Sequence, residues 1–190
     1  MAISLQDMQQ FYKDNLENRI FRYMLRGGQI IELTFGKENL CHLLGIQHVF
    51  PKDREYIGIK GYRKIEDGEL TVGLLRKHNL AQFKKMKYRI SKFMEIANLL
   101  ITGSIYRFYF LRQRESEIGA DYIVYGCSED CKMYCNLFIA KERSLLLNDK
   151  KNKAYIPLSY VVMRENDDYD KYVRNQEYKE VENFQVIMKN

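Results

Sequence analysis

No apolar run in this 190-residue chain approaches the roughly 18 uncharged residues of a membrane-spanning helix. The first residues, Met1-Ala2-Ile3-Ser4-Leu5-Gln6-Asp7, have neither the basic start nor the apolar core of a signal peptide, so no membrane contact and a cytoplasmic setting are expected. Internal repeats and low-complexity segments are absent. So are most enzyme signatures: there is no Gly-rich phosphate loop before Lys-Ser/Thr, no Gly-x-Ser-x-Gly elbow and no His-Glu-x-x-His. Acidic pairs for two-metal chemistry are scarce, because the aspartates gather in turns and near the C-terminus. A metal nuclease is therefore disfavoured, and neither a metal nor another cofactor is expected. Of the four cysteines, Cys127, Cys131 and Cys135 recur at four-residue intervals with no histidine nearby. That spacing favours reduced thiols over a zinc site or a redox disulfide.

What is present is a globular composition, 46% apolar and 13% aromatic, with a net charge of +6. The charge is unevenly spread. Residues 52–114 hold fifteen Lys or Arg against six Asp or Glu, about +9 locally, which points to an anionic partner such as nucleic acid.

Met8, Phe11, Tyr12, Leu16, Ile20, Tyr23 and Met24 follow three-and-four spacing and predict a helix over residues 5–26, ended by Gly27-Gly28. A strand over residues 29–35 follows, and then a short helix carrying Leu40, Leu43 and Leu44 with Gly45 as its C-cap. Residues 50–73, with Pro51, Gly58, Gly61 and Gly68, read as a basic loop. A helical turn is expected over residues 71–78 and a long helix over residues 80–101. The remainder switches to strand period at residues 104–110, 121–125, 136–140 and 154–162, with Pro157 marking an edge or a bulge. The fold class is thus α+β, with N-terminal helices packed on an antiparallel sheet of about four strands. We read residues 1–163 as one domain and residues 164–190 as an acidic, tyrosine-rich extension packed on it, in which residues 183–187 could add a strand.

The residue types that remain suit metal-independent cleavage of RNA. A base removes the 2′-hydroxyl proton, cations stabilise the phosphorane, and an acid protonates the leaving 5′-oxygen, giving 2′,3′-cyclic phosphate ends. His42 or His48 could serve as base or acid. Lys60, Arg63, Lys64 or Arg143 could hold phosphate, and Ser159 with Tyr160 could position it. Lys84, Lys85, Lys87, Arg89 and Lys92 form the polar side of the long helix and are candidate nucleic-acid contacts.

The stretch Phe35-Gly36-Lys37-Glu38-Asn39-Leu40-Cys41-His42-Leu43-Leu44-Gly45-Ile46, together with Tyr155-Ile156-Pro157-Leu158-Ser159-Tyr160, resembles the phage-associated branch of the barnase/EndoU/colicin/RelE-like nucleases. The resemblance spans residues 29–163 and centres on Asn-Leu-x-His-Leu-Leu-Gly. It implies helices on a four-stranded antiparallel sheet and a metal-independent ribonuclease. By the same resemblance His42 is the catalytic histidine, and Ser159 contacts phosphate or substrate. RNA is then the expected partner, with an antitoxin or immunity protein as a further candidate. Two other readings keep the fold without turnover: a nucleic-acid-binding module and a protein-interaction module. The acids of the extension, Asp167, Asp168, Asp170, Glu177, Glu180 and Glu182, add the idea of a phosphate mimic folded onto the basic surface.

Overall fold

Ser4 starts the first helix by a reciprocal cap: its hydroxyl accepts from the Asp7 N–H at 3.0 Å, and the Asp7 carboxylate accepts from the Ser4 N–H at 2.9 Å. A computed structural model describes residues 4–51, 53–109, 118–130, 132–142 and 154–189. Helix α1 (Leu5–Tyr12) does not run on to residue 26 as its stripe suggests. A π-helical turn over Lys13–Glu17 buries Leu16, and the chain then enters strand β1 (Arg19–Leu25), where Phe21, Tyr23 and Leu25 point inward. Ile20, Tyr23 and Met24 fit a helical stripe, but strand pairing on both sides imposes the period of two. Gly27 and Gly28, both left-handed, turn the chain into β2 (Ile30–Thr34).

Helices α2 (Asn39–Leu44) and α3 (Ile46–Val49) follow. The segment read as a basic loop instead holds a 3-10 turn at Arg54–Tyr56 and helix α4 (Gly58–Glu66), which buries Tyr62 and Ile65. Its glycines mislead because one of them serves packing. A Cβ on Gly61 would lie 2.4 Å from the Tyr56 carbonyl oxygen and 2.7 Å from the Cys41 sulfur, so only glycine lets α4 sit against α2. Thr71 caps α5 (Val72–His78). The expected helix over residues 80–101 is broken into α6 (Leu80–Ser91), a 3-10 turn at Phe93–Glu95 and α7 (Ile96–Thr102). At the break the Lys92 carbonyl accepts a hydrogen bond of 2.9 Å from the buried Tyr160 hydroxyl.

The remaining strands are β3 (Ser104–Arg107), β4 (Tyr122–Cys127), β5 (Met133–Lys141), β6 (Tyr155–Arg164), β7 (Glu177–Lys179) and β8 (Val181–Met188). The α+β class holds, but the sheet is larger than four strands. Its order is β7-β3-β4-β5-β6-β2-β1-β8, and the one β2–β6 pairing, Leu33 with Tyr155, is parallel. Glu180 alone separates β7, which pairs with β3, from β8, which pairs with β1. Residues 177–188 therefore link both edges, and the sheet curls until it is nearly closed. No helix among the described residues is long and apolar enough to cross a membrane.

The larger core lies between the helices and the inner face of the sheet. Phe93 is its hub: fully buried, it meets Phe11, Tyr12 and Tyr160, each at 6.4 Å between ring centroids. A smaller cluster of Phe108, Ala120, Ile123, Phe138 and Val173 covers the outer face. Phe93→Ala should destabilise the fold by about 3–5 kcal/mol in denaturant unfolding. A loss under about 1 kcal/mol would show that the hub is not the centre of the core.

Candidate active site

The end of β2 is pinned before the site begins. Phe35 packs edge-on against Tyr12 and Phe21, the Tyr12 hydroxyl donates to the Gly36 carbonyl at 2.7 Å, and the Gly36 N–H donates to Asn39 Oδ1 at 2.8 Å. Helix α2 then buries Leu40, Cys41, Leu43 and Leu44, which leaves Asn39 and His42, three apart, on its open face. Gly45 ends the helix in the left-handed conformation (φ 80°), as the sequence suggests, and the chain re-enters a helical turn that exposes His48.

Beside α2, strand β6 has lost its β2 neighbour past Tyr155 and carries a bulge. Ser159 pairs with Phe138 and Pro157 with Ile139, so Leu158 is the extra residue. The bulge lets Tyr155 and Tyr160, five residues apart, both enter the same core. It also frees the Leu158 carbonyl, which accepts a hydrogen bond from the His42 ring.

His42, Gln47, His48, Arg89, Ser159 and Tyr172 line one open cleft of about 550 Å³. A second cavity of about 310 Å³ shares His42, Gln47 and Leu158 with it and adds Glu38 and Asn39. A third, about 490 Å³, shares Gly119 and Leu158 and reaches Lys141. Leu158 lines all three.

Arg89 is the charge at the centre. It is half-buried on α6, and among the described residues its Nη1 is buried with no hydrogen-bond partner. Burial pushes its pKa down to about 10, opposed by the nearby Tyr172 and Tyr160 phenols. Gly45 makes the close approach possible, since a Cβ there would lie 2.9 Å from Arg89 Nη1. His42 is exposed by area yet crowded by the cleft walls. That crowding, the Arg89 cation and His48 all lower its pKa below 6.5, against the Leu158 hydrogen bond. His48 is lowered by burial and by Arg89. Both rings are therefore largely neutral at pH 7. Because the unfolded chain takes up protons more readily, the two histidines withdraw stability as pH falls below about 6.5.

The structure thus brings together His42, His48, Ser159 and Arg89. It does not bring the other basic candidates into the cleft. Lys60 pairs with Glu55 at 2.5 Å and Lys64 with Glu69 at 2.7 Å, Lys92 lies between Glu95 and Asp130, and Arg63 is exposed on α4. Lys84, Lys85 and Lys87 remain on the exposed side of α6. Arg143 lies outside the described residues. Charge pattern puts Arg89 with the lysines on the polar side of the long helix as a nucleic-acid contact, although it falls three residues after Met86 and four before Phe93, on the buried stripe itself. Gln47 and Tyr172 carried no signal. Asp167 pairs with Arg164, Asp168 and Asp170 with Arg174, Glu177 with Lys179 and Glu180 with Arg26, so these acids are not laid on the lysines of α6. Cys41 and Cys135 are free thiols pushed by burial up to about 12 and about 11, Cys127 is exposed, and Cys131 lies outside the described residues. Among the described residues no three His, Cys, Asp or Glu side chains converge to hold a metal ion.

A guanidinium with no ion pair among the described residues, in one cleft with two neutral imidazoles and a hydroxyl, is chemistry for a phosphodiester. The chain belongs to the phage-Barnase-EndoU-ColicinE5/D-RelE like nuclease4 family, whose model matches residues 4–182. It is therefore a member of a nuclease family, of the kind the motif around His42 resembles. No curated protein and no solved structure matches it.

Arg89→Met should keep or raise stability in denaturant unfolding, because it removes a buried donor without a partner. It should also raise the midpoint of the His42 titration toward 6.5 in NMR. A large loss of stability together with an unmoved His42 would mean that Arg89 is paired and remote from the ring.

Proposed function

We propose that the cleft cleaves single-stranded RNA without a metal ion. What carries the reading is the Arg89 guanidinium, whose Nη1 has no partner among the described residues, beside two histidines of lowered pKa. His42, neutral and with one nitrogen engaged by Leu158, is the base that takes the 2′-hydroxyl proton. The 2′-oxygen attacks phosphorus, the bond to the 5′-oxygen breaks, and His48, protonated in the presence of the phosphate anion, delivers a proton to that oxygen. The products carry a 2′,3′-cyclic phosphate and a 5′-hydroxyl. Arg89 holds the non-bridging oxygens as negative charge builds up on the phosphorane, and the Ser159 hydroxyl offers a further hydrogen bond. Lys84, Lys85 and Lys87 attract the chain electrostatically. In this reading the protein acts as a toxin on RNA, and an antitoxin or immunity protein would mask the groove.

Labelled single-stranded RNA incubated with the protein in EDTA should yield cyclic-phosphate ends, and His42→Ala should slow this by about 10²–10⁴-fold. Replacing Lys84, Lys85 and Lys87 by Gln should reduce the salt slope of RNA binding by about 2. Intact RNA, cuts leaving 3′-hydroxyl ends, or full activity in His42→Ala would each contradict the mechanism.

A further inference from the structure

The outer face of the sheet holds a polar group that the cleft chemistry does not use. Asn136, in the middle of β5, is fully buried, and both its Oδ1 and its Nδ2 lack a hydrogen-bond partner among the described residues. Its cross-strand neighbours are Tyr125 and Val161, both of which pack against the outer cluster, so the amide faces the same side as Phe138 and Ser159. A buried amide with neither atom satisfied is costly in a closed structure, and it matches the one-donor, one-acceptor edge of a nucleobase.

What covers this face is the connection between β6 and β7, residues 165–176. Tyr169 lies flat on Tyr134 at 3.9 Å and 17°, the geometry in which a nucleobase stacks on an aromatic ring. Tyr172 meets Phe138 at 5.1 Å and also lines the cleft beside Arg89 and His42. The strap's ion pairs, Arg164 with Asp167 and Arg174 with Asp168 and Asp170, are exposed and lie within residues 164–174, so they do not tie it to the sheet. Its ends are held by the Glu165 N–H donating to the Lys132 carbonyl at 3.3 Å and the Tyr109 N–H donating to Gln176 Oε1 at 2.8 Å. Val173 is its one buried apolar anchor.

We propose that the sheet face under this strap is a nucleobase-binding stretch of the same RNA groove, formed by Tyr134, Asn136 and Phe138. In the free protein Tyr169 and Tyr172 occupy the places of two bases. Substrate displaces them, one base stacking on Tyr134 while another meets the Asn136 amide, and the phosphate between them runs toward Arg89. The inference rests on the reading of the cleft as an RNA site.

A short single-stranded oligonucleotide with 2′-deoxyribose throughout cannot be cut by 2′-hydroxyl attack, so its binding is measured apart from catalysis. Hydrogen exchange of residues 165–176 should speed up when this strand saturates the protein. Asn136→Leu should be more stable than the wild type and bind the strand about tenfold more weakly, whereas Tyr169→Ala should bind it several-fold more tightly. Binding with exchange of the strap unchanged or slowed, wild-type affinity in Asn136→Leu, or no binding of the strand would each overturn the proposal. RNA cleavage in EDTA tests the cleft chemistry independently, since it can fail while the strap moves and succeed while it stays closed.

Discussion

The arrangement around the cleft depends on one guanidinium that has no anion among the described residues. Arg89 emerges from the buried stripe of α6, passes close to Gly45 and enters the cleft lined by His42 and His48, with no carboxylate among the described residues to neutralise it. A buried donor in that state costs about 1–3 kcal/mol, which a structural role would not require. Burial and the same charge together lower the pKa of His42 and His48, so the feature that burdens the fold also helps set up the base. Gly45 has two jobs at once: it allows the left-handed end of α2 and leaves room for the arginine.

Strand β6 provides the opposite wall by departing from regular pairing. Its parallel contact with β2 is confined to one residue pair, so α2 can lie against the freed edge, and the bulge at Leu158 offers a carbonyl to His42. The helices supply the charge and the sheet supplies the orientation. The nearly closed curl, completed by residues 177–188 at both edges, keeps the two in register, and residues 164–190 thus contribute strands to the same sheet. The family match over residues 4–182 also takes in part of this stretch.

Much of this was legible in the sequence, and the failures have physical causes. Strands β3 to β6, the cap at Gly45 and the irregularity at Pro157 follow from local chemistry, and so do the exposed His42 and the apolar α2 around it, whereas the three-residue β7 is too short to announce itself. The first strand was hidden because its apolar residues satisfy both periods, and α4 because Gly61 is a packing glycine rather than a loop residue. The long helix was overextended because nothing local announces that Tyr160, nearly seventy residues on, bonds the Lys92 carbonyl. Charge counting names Arg89 as a nucleic-acid contact beside the lysines of the polar face, since composition does not tell a sunken cation from an exposed one.

The most direct test is an NMR titration of the two cleft histidines with and without inorganic phosphate. Phosphate held by Arg89 should raise the pKa of His42 and His48 in the wild type, by neutralising the cation beside them, and should do so far less in Arg89→Gln. Equal shifts in both proteins, or none in the wild type, would contradict an anion site at Arg89 and with it the account of the cleft.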